Sequence, residues 1–463
     1  MRIAKVLFCC IGIATPGFAG QGSNQNTLPA SGFGAPCAAG QYSMGGYLLV
    51  CSDAGTFRYA LPEDIPPAPP GGYSSRPAWY PRIGEVYHAT NPPPCPVTGR
   101  VTFTNPIVRA EDLITSVPQG IMVGDHVTPI DHGYIGVRPL TIPRAARTDA
   151  DYVPIYAPAD GDVIEISTLG SPTSIRIVFA HGCDTYSTFM VVNRLSGALA
   201  SLQDDLMASG RLSPNLRLLA GEEFGAQRDN PIDFQVNDGA QWLAGFVSPF
   251  AYAEGEAWKP YTVDPWPYFA PDLEALYESK LQRTFDPRWG KIDQDVAGTA
   301  AGNWFLDGTV GYSGRTIDAF RSATTSLQGG PVAGKNFASW SHLAIARHAV
   351  QPSVWIFSIG WWKDSNGDPG QWILDVADGR PEPSTLTPES GVVVYRLQHI
   401  GTTAPPNGDA PMPPGYDVIP WGTEGIVAMQ VNGDGTLTIE VVPDRQDPAS
   451  FTGFTGARRL YRR

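Results

Sequence analysis

The chain has 463 residues, which is long enough for two or three domains that each bury a core. Its formal net charge of -13 repels phosphate backbones, so nucleic acid is excluded as a partner. With 51 glycines, 44 prolines and only 17% charged residues, the composition predicts strands, turns and ordered loops rather than helical bundles.

The first 19 residues have the pattern of a secretory signal peptide. Arg2 and Lys5 precede an apolar run, and a small-residue site ends at Ala19. Cleavage there would remove two cations and no acids, taking the formal charge from -13 to -15. No later segment has the roughly 20 continuous apolar residues that a membrane helix needs. The sequence therefore predicts a secreted or periplasmic protein without a membrane span.

Residues 20–98 read as a Pro/Gly-rich N-terminal region with one short hairpin. Four cysteines remain after the signal segment, and an even number in an exported chain favours disulfides over free thiols. Proximity and reach favour pairing Cys37 with Cys51 and Cys95 with Cys183. Four cysteines allow three pairings, so the other two stay open.

Residues 99–255 contain short apolar strands separated by Gly, Pro and Asp, which predicts a β-rich domain. One helix is expected to interrupt the strands at residues 196–210. Ser196 is placed to cap its first turn, and Gly210 lies just beyond its end.

Residues 256–330 are expected to connect this domain to the last part of the chain, with a helix at 271–285. Residues 331–463 contain several stretches in which apolar and polar residues alternate as they do in strands. This pattern predicts a separate C-terminal antiparallel β-sheet domain. Tryptophans in such a sheet are more often packing anchors than a platform for ligands. We therefore expect core positions for the group made of Trp340, Trp355, Trp361, Trp362 and Trp372.

Four stretches between His126 and Val236 follow one another in the order of a known family. They are PIYAPADGDVIEI at 154–166, SIRIVFAHG at 174–182, LAGEEFG at 219–225 and PIDFQV at 231–236. In sequence and order they resemble the lysostaphin-type zinc metallopeptidase domain, also known as a duplicated hybrid motif. The resemblance implies a mainly β fold, a lysostaphin-type β-sandwich (barrel-sandwich hybrid), with zinc lying in a groove.

The family's functional positions are only partly kept. Its first motif, H-x-x-x-D, supplies two zinc ligands; here His126 and Asp131 are one residue too far apart, and His132 follows directly. Its H-x-H motif supplies a third ligand and the catalytic base, but Asp233 stands at the ligand position and Pro231 at the base position. Proline can neither bind zinc nor polarise the attacked water.

The resemblance implies a residual site for zinc or another divalent cation, because oxygen and imidazole ligands suit several such metals. Its candidate ligands are His126, Asp131, His132 and Asp233. His181 stands where the family keeps an accessory histidine that stabilises an oxyanion. The structural alternative makes residues 125–134 a polar turn that braces the edge of the sandwich.

A calcium site is a second, independent candidate. Asp364, Asn366, Asp368 and Asp375 occupy the first, third, fifth and twelfth positions of a calcium-loop spacing. The sixth position, normally glycine, is Pro369, and a plain hairpin turn explains the same residues.

Three functions are compatible with these features. The leading hypothesis is an exported cell-envelope protein whose peptidase-like domain is non-catalytic and acts as a binding or scaffolding module for a peptide, glycan or protein. The second is a divergent metal-dependent endopeptidase that acts on peptidoglycan or other peptides. The third is a calcium-braced adhesion protein.

Overall fold

The computed structural model describes residues 34–39, 42–44, 48–88, 100–318, 338–361, 369–376, 379–401 and 418–463. Within these ranges the protein is mainly β, and its strands form several antiparallel sheets. No helix in the same ranges has both the length and the apolar character needed to cross a bilayer. The signal segment predicted at residues 1–19 lies outside the described residues.

A small three-stranded sheet forms the N-terminal unit. Its strands are β1 (Tyr42–Met44), β2 (Leu48–Cys51) and β3 (Phe57–Tyr59). The predicted Cys37–Cys51 disulfide is confirmed, with the two Cα atoms 5.7 Å apart. Cys183 is also disulfide-bonded, and its predicted partner Cys95 lies outside the described residues.

Helices are short throughout the described chain. The α-helices are α1 (Ile83–Tyr87), α2 (Gln203–Ser209), α3 (Phe250–Ala253) and α4 (Pro271–Ser279). The 3₁₀ helices cover Pro62–Asp64, Ala110–Asp112, Arg138–Thr141, Arg144–Ala146, Asp149–Asp151, Gly197–Leu202, Lys259–Tyr261, Trp266–Tyr268, Gly311–Ser313, Ala338–Ser341, Pro383–Thr385, Pro388–Ser390 and Pro448–Ser450. The helix predicted at 196–210 is thus a 3₁₀ turn followed by α2, and it ends at Gly210 with φ of 72°.

The central domain contains two sheets. Its strands are β4 (Leu113–Val117), β5 (Gly133–Val137), β6 (Val153–Tyr156), β7 (Gly161–Thr168), β8 (Ile175–Ala180), β9 (Thr185–Val192), β10 (Arg194–Leu195), β11 (Arg211–Leu212), β12 (Leu216–Leu218), β13 (Glu223–Gln227), β14 (Ile232–Asp238) and β15 (Thr262–Val263). The larger sheet runs β11-β7-β8-β9-β14-β5-β4, with β12 on β7 and β15 on β14. The smaller sheet runs β10-β13-β6.

The core of this domain lies between its two sheets. Phe224 of the smaller sheet packs against Phe179 and Phe189 of the larger one, with ring centroids 5.0 and 4.9 Å apart. Phe234 of β14 joins the same cluster, 5.0 Å from Phe189. Because side chains alternate along a strand, the residues on either side of Phe234 must face away from this core.

The expected connecting segment 256–330 is shared between two domains. Trp266, Tyr277 and Trp289 are buried in the central core, with the Trp266 ring stacked 4.4 Å from Tyr277. Residues 302–306, in contrast, form the first strand of the C-terminal sheet. Large aromatic side chains explain the difference, since they gain most by burial wherever a core is within reach.

Within the described residues, the C-terminal sheet has eight strands. They are β16 (Gly302–Leu306), β17 (His342–Arg347), β18 (Trp355–Ile359), β19 (Gly370–Leu374), β20 (Val393–Gly401), β21 (Ile419–Val431), β22 (Leu437–Pro443) and β23 (Arg459–Arg462). The sheet closes on itself because β23 pairs with β16 as well as with β22. Of the five tryptophans expected at core positions, Trp340, Trp355 and Trp372 are buried and Trp361 is partly exposed. Trp362 lies outside the described residues.

The loop before β5 is held by the C-terminal sheet. Met122 shares an apolar cluster with Ala344 and Ile356 of that sheet. The Gly124 N–H donates to Gln371 Oε1 at 3.1 Å, and Gln371 Nε2 donates back to the Gly124 carbonyl at 2.9 Å. The C-terminal domain therefore helps to position the residues that lead into β5.

We predict that Trp266→Ala lowers the free energy of unfolding by about 3 to 5 kcal/mol, because it removes a fully buried indole from the central core. Urea unfolding followed by fluorescence measures the change. Phe285→Ala is the matched control, since that ring is 56% exposed and should cost less than about 1 kcal/mol. Equal costs for the two variants would contradict this description of the core.

Candidate functional site

Three ionisable side chains converge at the start of two neighbouring strands. Asp131 and His132 immediately precede β5, and Asp233 is the second residue of β14. Asp233 pairs with Tyr134 on β5 and with Met190 on β9. The order and register of these strands therefore bring together residues that are a hundred positions apart.

His132 lies between the two carboxylates. Its Nδ1 is 3.3 Å from Asp131 Oδ1, and its Nε2 is 3.3 Å from Asp233 Oδ2. The second contact lacks hydrogen-bond alignment, so we describe it as an ion pair. All three residues are at most 3% exposed. We call this group the His132 cluster.

The ionisation of the cluster follows from this pairing. Burial disfavours the charged imidazole, but the charges of Asp233 and Asp131 outweigh it and raise the pKa of His132 to about 9. The pKa of Asp131 is lowered despite burial, because Lys259 and His132 are close and the Trp258 indole N–H donates to its Oδ2 at 2.7 Å. At neutral pH the cluster therefore contains an imidazolium.

The pKa of Asp233, in contrast to that of Asp131, is raised. Burial is the largest influence and raises the pKa of this carboxyl, although the positive charge of His132 opposes it. Asp233 therefore depends on His132 more than Asp131 does, because Asp131 also has Lys259 and Trp258 as partners.

A second ion pair extends the cluster toward the C-terminal domain. Lys259 Nζ is 2.6 Å from Glu256 Oε2, and both residues are buried. The same ammonium lies 4.6 Å from the ring centroid of Tyr312. Charges of both signs are thus paired inside a region from which water is largely removed.

His126 lies at the rim of the cluster. Its ring centroid is 5.6 Å from that of His132, with the two rings nearly perpendicular. Burial, together with the positive charges of His132 and Lys259, lowers the pKa of His126 to about 3. His126 is consequently a neutral imidazole beside a charged one.

Asp233, Gln235 and Asn237 lie on the face of β14 opposite Phe234, which we call its polar face. Other parts of the same chain cover this face. Tyr87, the last residue of α1, stacks on Tyr186 with centroids 4.3 Å apart, and its hydroxyl donates to Asn237 Oδ1 at 2.7 Å. The Trp258 ring lies parallel to that of Tyr87 at 6.3 Å. Nothing in the sequence pattern predicted these covering residues, because Tyr87 and Trp258 come from segments without a recognisable motif.

His181 lies apart from the His132 cluster. Its Nδ1 donates to the Asp160 carbonyl at 2.9 Å, and its Nε2 is 2.7 Å from Ser187 Oγ. Ser187 pairs with Val236, a core residue of β14, so His181 is on the opposite side of the sheet from Asp233. Burial lowers its pKa to about 4. Its predicted oxyanion role stays a prediction.

The metal and calcium candidates both stay predictions. Among the described residues, no three or more His, Cys, Asp or Glu side chains are arranged to hold a metal ion. His132 supplies its own positive charge between the two carboxylates, where a cation would otherwise lie. Of the calcium candidates, Asp375 pairs with Arg396 at 3.4 Å. The other three, Asp364, Asn366 and Asp368, lie outside the described residues.

Comparisons with known proteins give little support for a family. No family model and no curated protein matches this chain. Four chains of solved structures match. One is a crystal structure of a zinc-containing peptidase from Vibrio cholerae, with 12% sequence identity and a TM-score of 0.20. The match covers 41% of this chain and 42% of that one, so the chain spans less than half of the peptidase's length.

We predict that His132→Gln destabilises the protein by about 3 to 5 kcal/mol at pH 6, because it leaves the buried Asp233 carboxylate without its cation and removes one of the partners of Asp131. The pKa of His132 is raised in the folded state, so its stabilising contribution is complete below about pH 6.5 and is lost as the pH rises through about 9. The difference between wild type and variant should therefore shrink from pH 6 to pH 9.5.

Urea unfolding at several pH values measures this difference. His399→Gln is the matched control, because that imidazole pairs with Glu424 at 3.2 Å but is 33% exposed. It should cost less than about 1 kcal/mol. A His132→Gln cost no larger than the control, or one independent of pH, would contradict the charge assignment.

Proposed function

We propose that this is an exported cell-envelope protein whose peptidase-like central domain is non-catalytic and serves as a binding or scaffolding module. Its partners would be a peptide, a glycan or another protein. The peptidase-like frame follows from the resemblance of the stretches between residues 154 and 236 to the lysostaphin-type family. Export agrees with the Cys37–Cys51 disulfide, since such bonds persist in oxidising compartments.

The observation that carries the proposal is the pairing inside the His132 cluster. A hydrolytic metal centre needs ligands with available lone pairs, an open position for water and a base within reach of it. Here the nitrogens of His132 each face a carboxylate, and the indole of Trp258 occupies the other oxygen of Asp131. Pro231 stands at the position from which the family's base would act.

The burial of the polar face of β14 also supports a non-catalytic role. A peptide substrate would have to reach a face on which Tyr87 and Trp258 already lie. Every residue of β14 is buried, including Asp233, Gln235 and Asn237 on its polar side. A module that binds through its outer surfaces is compatible with such packing. Hydrolysis at the His132 cluster, in contrast, would require Tyr87 and Trp258 to move away from the polar face.

The alternative is a divergent zinc endopeptidase that uses His126, Asp131 and Asp233 as ligands. The observation in its favour is the neutral imidazole of His126 at the rim of the cluster. The adhesion hypothesis has no comparable support from Asp375, which is engaged with Arg396.

Metal content and hydrolysis separate the two proposals. We expect the purified full chain, dialysed against zinc and then against buffer, to retain far less than one zinc per chain. We also expect it to release no soluble fragments from peptidoglycan or from a mixed peptide library. His126→Ala, with His399→Ala in the C-terminal sheet as a control histidine variant, should change neither result. Stoichiometric zinc together with cleavage that chelators and His126→Ala abolish would establish the endopeptidase instead.

A further inference from the structure

The loop that precedes β16 forms a small pocket beside the seam at which the C-terminal sheet closes. The loop bends back on itself, because the Val296 N–H donates to the Ala301 carbonyl at 3.1 Å and the Thr299 N–H donates to the Val296 carbonyl at 3.1 Å. The carbonyl oxygens of Val296, Thr299 and Ala301 consequently face one point. None of these residues belongs to the His132 cluster.

The guanidinium of Arg463 occupies this point. Its Nη1 donates to the Ala301 carbonyl at 2.6 Å, and its Nη2 donates to the Val296 and Thr299 carbonyls at 2.6 and 2.9 Å. Arg463 directly follows β23, so it is far in sequence from the loop that surrounds it. We call the site formed by residues 295–304 around this guanidinium the Arg463 pocket.

A buried aromatic ring forms one wall of the Arg463 pocket. The guanidinium carbon of Arg463 lies 4.1 Å from the ring centroid of Trp304, which is 1% exposed. The indole is fixed, because its N–H donates to the Ala300 carbonyl at 2.9 Å. Gly302 forms another wall, where the φ is 121° and a Cβ would lie 2.8 Å from Arg463 Nη1. A larger residue at this position would therefore displace the guanidinium.

Asp295 supplies negative charge to the pocket. Its Oδ1 accepts the Asn303 N–H at 2.7 Å and its Oδ2 accepts the Val247 N–H at 3.0 Å, so backbone donors hold the carboxylate in place. Burial raises the pKa of Asp295, and the positive charge of Arg463 is the largest influence that opposes this rise. The pocket is thus suited to a cation.

The arrangement favours a guanidinium over an ammonium. A guanidinium is planar, donates from several N–H groups in a fixed fork and stacks on aromatic faces. These properties match three carbonyl acceptors that lie beside the face of Trp304. An ammonium is a compact point charge that has neither the fork nor the flat face. Anions are excluded as ligands, because the pocket offers acceptors and a negative charge.

The seam beside the pocket is short. β23 pairs with β16 at only two positions, Phe305 with Arg462 and Leu306 with Tyr461. Residues 296–301 lead into β16 and Arg463 follows β23, so the bonds of its guanidinium join the two strands beyond their last backbone pair. The closure of the sheet therefore depends on Arg463 as well as on strand pairing.

We propose that the Arg463 pocket is a guanidinium-binding site and that Arg463 is its built-in ligand, which holds β23 against β16 and keeps the C-terminal sheet closed. A guanidinium compound from solution takes the same place when this side chain is absent, because the rim of the pocket at Val296 is exposed. The inference goes beyond the function proposed above and does not depend on whether the His132 cluster is catalytic.

Chemical rescue of the full chain tests the proposal. Arg463→Ala should lower the thermal midpoint of the C-terminal domain by at least about 4 °C, because three charge-assisted hydrogen bonds are lost. Millimolar ethylguanidinium, which replaces the removed end of the side chain, should restore at least about half of this loss, whereas ethylammonium at the same concentration should restore none. Scanning calorimetry measures the midpoints. Titration calorimetry should show 1:1 binding of ethylguanidinium to the variant and none to the wild type.

Two further variants separate the pocket from general effects of charge. Arg462→Ala is the matched control, because this neighbouring side chain pairs with Asp307 and is 57% exposed. It should shift the midpoint by less than about 1 °C and show no rescue. Arg463→Lys keeps the charge without the planar fork, so its midpoint should stay below that of the wild type, and this comparison decides alone if Arg463→Ala does not fold. Wild-type stability of Arg463→Lys, equal rescue by ethylammonium, or no rescue of folded Arg463→Ala would overturn the assignment.

Discussion

The buried contact of the His132 imidazolium with the carboxylates of Asp131 and Asp233 is the interaction on which the central domain depends. Two carboxylates that are nearly inaccessible to water cannot stay ionised alone, and the imidazolium between them supplies the compensating charge. The contact forms only in the observed register of β5 and β14. A shift of one residue would place Asp233 among the core phenylalanines and Ile232 against His132.

The charged cluster also explains how three parts of the chain are held together. Trp258 and Lys259, from the segment after β14, stabilise the ionised form of Asp131. Tyr87, from helix α1, donates a hydrogen bond to Asn237 on the same face of β14. The C-terminal sheet fixes the loop around Met122 that leads to His126 and Asp131. The polar face of β14 is consequently an internal junction between these three parts of the chain.

A good part of this organisation could be predicted from the sequence. The resemblance to the lysostaphin-type domain implied that His126, Asp131, His132 and Asp233 belong to one site, and the structure places Asp131 and Asp233 each 3.3 Å from His132. The pairing of Cys37 with Cys51 followed from their short separation and the hairpin between them. These predictions rest on local patterns and on strand alternation, which the sequence carries directly.

Other features depend on packing between distant segments and had no local signal. Trp266 and Trp289 join the central core although their segment looks like a connector, and Gly302–Leu306 pairs with β17 across an intervening stretch of the chain. The packing of Tyr87 and Trp258 over the polar face of β14 likewise joins distant segments and has no local sequence signal.

Nitrogen-15 NMR of the histidine side chains tests the central claim most directly, because it reports the protonation of each ring nitrogen. The account predicts that at pH 7.5 both nitrogens of His132 are protonated, that they titrate near pH 9, and that added zinc leaves their shifts unchanged. A neutral His132 at pH 7.5, with one unprotonated nitrogen that shifts when zinc is added, would contradict the account.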